Sequence, residues 1–112
     1  MEWLVQDIYK RVILSSYPHL KLINKYDGIN DYTLVVNDIA MYTMDIGDTH
    51  IMLDMNPFKH IYLTDMERNY DLPLSSYTVE IENGDIHNAI FSVFEHLLYF
   101  IKHDSKFKRV YS

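Results

Sequence analysis

Between Tyr32 and Met55 the chain writes three short apolar–polar alternations separated by two turn signals, and this block restricts the fold more than any other feature. Alternation at period two puts successive side chains on opposite faces of a strand. Tyr32–Val36, Ile39–Ile46 and Thr49–Met55 therefore read as three strands of an antiparallel sheet. Asn37–Asp38 can hold the positive φ angles of a two-residue hairpin, and Gly47–Asp48 offers glycine where a primed turn wants it.

The second hairpin can be read residue by residue. With Gly47–Asp48 as its loop, Ile46 faces Thr49, Asp45 faces His50, Thr43 faces Met52 and Met41 faces Asp54. Cross-strand partners share a face. Ala40, Tyr42, Met44, Ile46, Ile51, Leu53 and Met55 then form the core side, and Met41, Thr43, Asp45, His50, Met52 and Asp54 the outer side. The face of Tyr32–Val36 depends on its turn, because a one-residue slip exchanges its sides.

Helices bracket this block. Leu4, Val5, Ile8 and Val12, with Tyr9 and Ile13, suit an amphipathic helix over 2–15, ended by Pro18, which disfavours helical geometry at Tyr17. Tyr77, Val79 and Ile81 alternate with polar residues as a half-buried strand, and Asn83–Gly84 breaks it. Asp85 is a good N-cap for a long helix over 86–103, whose stripe is Ile86, Ala89, Ile90, Val93, Leu97 and Ile101. Lys102, His103, Lys106 and Lys108 fall where they complement its negative end. Ile61–Leu63 reads as a short strand, Met66–Tyr70 as a helical turn, and Pro73 with Ser75–Ser76 as a connection. The expectation is a single α+β domain over 1–112: an antiparallel sheet of four to five strands, with an N-terminal and a long C-terminal helix packed on one face.

With 112 residues there is room for one modest core. The absence of cysteine excludes disulfides, thiolate metal sites and cysteine nucleophiles. Charged residues interrupt Met1–Leu14, and Leu97–Ile101 is the longest apolar run, so neither a secretory signal nor a membrane span is expected. A soluble, cytoplasmic protein is the expectation.

Charge is spread unevenly. Residues 26–101 carry thirteen acids against Lys59 and Arg68 alone, a net of −11, and there is no Lys or Arg from Tyr26 to Phe58. Such a body repels nucleic acid. A solubilising surface is the plain explanation; a surface that engages a basic protein is the sharper one. Residues 102–112 carry four bases and one acid, a small footprint that the helix dipole accounts for, so no direct nucleic-acid contact is expected.

Motifs for chemistry are thin. Asp45, Asp48, His50 and Asp54 make one acid-and-histidine group, but its spacing is not an EF-hand's. The six histidines form no HExxH pattern, there is no nucleophile elbow, and three glycines do not build a phosphate loop. No cofactor or metal is implied, and an enzyme is not expected. Ten Tyr and five Phe are many for this length, and Tyr is over-represented at protein interfaces, although it also simply fills strands. A sheet face rich in Tyr and Met and rimmed by Asp31, Asp38, Asp45 and Asp54 reads as a binding surface. Its expected contact residues are Tyr32, Asp38, Met41, Asp45, Asp48, His50, Met52 and Asp54.

The first function class that follows is a small acidic inhibitor, of the immunity or phage anti-defence kind. It would occupy the basic site of a larger protein such as a nuclease or a nucleic-acid-binding defence complex, acting as a monomer or a homodimer. The second rests on order: Tyr32–Met55 followed by Tyr77–His103 resembles the small acidic class I chaperones of type III secretion. That resemblance implies a dimer that holds another chain. The chaperones place a dimerising helix and a further strand between these blocks, where this chain has only residues 57–75. The third is a metal-dependent enzyme centred on Asp45, His50 and Asp54.

Overall fold

The computed structural model describes residues 2–24, 31–55 and 76–111. Helix α1 (Glu2–Tyr9) runs into a π-helical turn over Lys10–Leu14. Five strands follow, β1 (Lys21–Asn24), β2 (Asp31–Val36), β3 (Ile39–Ile46), β4 (His50–Asp54) and β5 (Ser76–Glu80), then α2 (Ile86–Ile101) and α3 (Ser105–Tyr111). The strands pair antiparallel in sequence order, β1-β2-β3-β4-β5. The domain is α+β, with α1 over β1, α2 over β4 and β5, and the two helices touching each other.

One face of the sheet is buried, and the alternation explains which. Tyr32, Leu34, Val36, Tyr42, Met44, Ile46, Ile51 and Leu53 all point inward. They meet Val5, Ile8, Tyr9 and Ile13 from the first helical segment and Ala89, Ile90, Val93, Phe94, Leu97 and Ile101 from α2 in one apolar cluster. The Tyr9 hydroxyl donates to the Leu20 carbonyl, and the Tyr9 ring meets Phe94 edge-on at 5.9 Å, tying α1, α2 and the entry to β1 together. The Asp85 carboxylate accepts from the Asn88 N–H at 3.1 Å, capping α2 as expected.

Several sequence expectations change. The Asn37–Asp38 turn forms as read, with φ of 52° and 64° and Val36 opposite Ile39. The second hairpin turns one residue later than expected. Ile46 faces Ile51, Asp45 faces Met52, and the Gly47 N–H donates to the His50 carbonyl at 2.8 Å, centring the turn on Asp48–Thr49. Glycine serves close approach here, since a Cβ on Gly47 would lie 3.2 Å from the His50 oxygen. Because the partners change by two residues, the faces survive while every pairing moves.

Met41 is corrected outright. Leu34 faces Tyr42 and Val35 faces Ala40, so Met41 is the extra residue of a β-bulge. The bulge turns Met41 inward beside Tyr42, leaving it 4% exposed, and puts Ala40 on the side of Val35. Strand β1 was not anticipated, and α3 replaces the basic tail read as an appendage of one long helix. The readings of Ile61–Leu63, Met66–Tyr70 and Pro73 lie outside the described residues.

Candidate functional site

The outer face of the sheet is the candidate protein-binding surface. Register places Asp31, Asp45, Met52 and Thr78 in one row across β2–β5, and Thr33, Thr43, Asp54 and Ser76 in the next. Asp45 is exposed and Met52 is 48% exposed, directly opposite each other. Asp31 faces Asp45 from the other side. Like charges directly opposite on adjacent strands oppose pairing, so the fold tolerates here a repulsion that other residues would remove. At one end of the face His50 stands opposite Glu80, with its Nδ1 2.8 Å from the Thr49 hydroxyl.

The sequence-derived contact set divides. Asp45, Met52 and Asp54 come together on this face, His50 borders it, and Asp48 is exposed in the adjoining turn. Asp38 is exposed in the β2–β3 turn, the opposite end of that hairpin. Tyr32 and Met41 are withdrawn from the surface: Tyr32 is opposite Met44 on the inner face and fully buried, and the bulge turns Met41 into the core. The tyrosine-rich outer face does not form among the described residues. Tyr9, Tyr32 and Tyr42 are buried, Tyr17, Tyr77 and Tyr111 half-buried, and Tyr99 is exposed on α2. Among the described residues the tyrosines lie mainly in the core and at its margins.

The metal alternative loses its geometry. Asp45 and His50 are not cross-strand partners, since Asp45 faces Met52 and His50 faces Glu80. Among the described residues no group of three or more His, Asp or Glu side chains is arranged to hold a metal ion. No described helix is long and apolar enough to cross a membrane.

A second exposed set escaped sequence reasoning. Trp3 is 73% exposed on α1, and Phe91 and Tyr99, at 37% and 66%, lie eight residues apart on the outer side of α2. Eight residues set them about 80° apart around the helix, both clear of its apolar stripe, and that position off the stripe was the available signal. Beneath the same helix His96 stacks on Tyr77, centroids 3.7 Å apart and rings within 6° of parallel. Burial holds the His96 pKa below its ordinary 6.5. The unfolded chain therefore binds this proton first, and the stability held by neutral His96 is lost as pH falls below about 6.5. A His96→Phe variant should accordingly lose less thermal stability than the parent between pH 7.5 and pH 5. Equal losses would show that this ring does not contribute to acid lability.

No protein family, no curated protein and no solved structure matches this chain.

Proposed function

We propose that this protein is a small acidic binding module that neutralises a larger protein by laying the outer face of its sheet on a basic functional surface. The partner class we infer is a nuclease or nucleic-acid-binding defence complex, and the biological setting an immunity or anti-defence inhibitor of phage or mobile-element origin. The observation that carries the reading is the Asp31–Asp45 pair, set face to face across adjacent strands beside half-exposed Met52. Cationic side chains of a partner would remove the repulsion that the free protein keeps, and Met52 would supply an adaptable apolar contact at the centre. Net −11 over residues 26–101 would steer such a partner in.

The test is capture with the tagged protein from host extracts, run in parallel with an Asp45/Asp48/Asp54→Asn variant. The expected result is one stoichiometric nucleic-acid-handling protein that the variant no longer retains. A secretion substrate retained equally by the variant would instead support the chaperone reading. Recovery of no partner would overturn both.

A further inference from the structure

The C-terminal segment carries the opposite charge, and its bases are divided between two helix ends rather than gathered at one. A single long helix would assign Lys102, Lys106 and Lys108 to one negative pole. Instead α2 stops at Ile101 and α3 begins at Ser105, so Lys106, Lys108 and Arg109 stand on a separate helix. The Asp104 carboxylate caps that helix, accepting from the N–H groups of Lys106 at 3.1 Å and Phe107 at 3.3 Å.

Between α2 and α3 lies a cleft of about 180 Å³ lined by Tyr17, Ile101, Lys102, Phe107, Lys108 and Tyr111. Its aromatic walls brace one another. Tyr17 meets Phe107 and Tyr111 edge-on, each at 5.4 Å, and Phe107 and Tyr111 stack at 5.2 Å. The Tyr111 hydroxyl also accepts from the His19 N–H at 3.3 Å. Lys102 and Lys108 are exposed at the rim, and neither pairs with an acid among the described residues.

Size and charge together select the occupant. Sites for cofactors and drug-sized molecules run to about 300–1,000 Å³, and this cleft is smaller. It suits one bulky side chain, the way interface anchors fill pockets. Two ammonium groups flanking an apolar floor complement an apolar side chain flanked by carboxylates. We propose that the α2–α3 cleft is a docking site for an acidic peptide segment of a partner protein, seating one bulky apolar side chain against the half-buried rings of Tyr17 and Tyr111 while Lys102 and Lys108 take its neighbouring carboxylates. This proposal stands independently of the sheet-face reading, because the surface lies on other elements and has the opposite sign.

The experiment titrates the isotope-labelled full chain with the blocked peptide Asp-Glu-Phe-Glu-Asp and follows amide shifts by NMR. Two control peptides replace Phe by Ala, or every acid by Lys. Shifts confined to Tyr17 and residues 101–111 are expected, with both controls binding at least about tenfold more weakly. A Lys102→Glu/Lys108→Glu variant should lose the acidic peptide by a similar factor. Both lysines are exposed, so an unchanged melting temperature verifies that the variant is folded. Equal binding of the basic peptide, shifts centred elsewhere, or no shift at about millimolar peptide would overturn the proposal. Concentration-dependent shifts of the same residues without peptide, abolished in the variant, would make a second copy of this chain the occupant and overturn it too.

Discussion

Replacing Phe107 with alanine is expected to destabilise the protein by about 3–5 kcal/mol, the usual range for removing a buried aromatic side chain. Phe107 is 2% exposed and touches Tyr17, Tyr42 and Tyr111, so it joins the last helix to the β3 strand and to the loop before β1. Domains of this size are stable by about 5–15 kcal/mol in total, which makes the loss a large share. The melting temperature should fall by roughly 10–20 °C. Around this ring the polar contacts of α3 are few. The Tyr42 hydroxyl donates to Asp104 at 2.8 Å, and the Asn37 amide donates to the Val110 carbonyl at 2.7 Å. Burial, and then the bond to Asp104, push the Tyr42 hydroxyl well above the ordinary phenol range, so it is a donor at neutral pH. Tyr42→Phe should cost about 1.5–3 kcal/mol, the range for a hydrogen bond to a charged group, at or below the lower end of the Phe107 effect. Thermal unfolding followed by circular dichroism separates the two. A Phe107→Ala loss under about 1 kcal/mol would mean that α3 is not part of the core.

The second large effect has opposite signs in two measurements on one variant. Asp45→Asn removes the repulsion with Asp31 and should raise stability by about 0.2–1 kcal/mol. The same change removes a carboxylate from the proposed interface. Loss of one member of a charge pair buried by association costs about 2–5 kcal/mol, so the affinity for the captured partner should fall by at least about thirtyfold. Titration calorimetry and thermal unfolding on the same preparation read both. A variant that is less stable yet binds normally would place Asp45 in the fold rather than in the interface.

What the sequence made legible follows from periodicity. The alternation in Ile39–Ile46 and in Ile51–Met55 was long enough to assign the core side, and Tyr42, Met44, Ile46, Ile51, Leu53 and Met55 are all buried. Asp85 stands ahead of an apolar stripe of helical period and caps α2. Pairing was less legible. Moving the centre of a turn by one residue changes each cross-strand partner by two, which separated Asp45 from His50 while sparing the faces. Parity failed where a bulge intervened, because one added residue turns Met41 and Tyr42 the same way. Strand β1 is four residues long and too short for a periodic signal, and α3 was hidden because Lys106–Arg109 read as charge rather than as helix. Asp45, Met52 and Asp54 could be placed on the outer face because they share parity along strands whose core side was clear. Tyr32 was misplaced because its strand's face depended on a turn register that composition does not specify.

The most direct measurement is the amide hydrogen-exchange footprint of the captured partner on this protein. The account predicts slowed exchange in β2–β4 and the Gly47–His50 turn, with shorter footprints for variants at Asp45 and Asp54. A footprint confined to the helical layer around Trp3, Phe91 and Tyr99, leaving β3 and β4 unchanged, would contradict it.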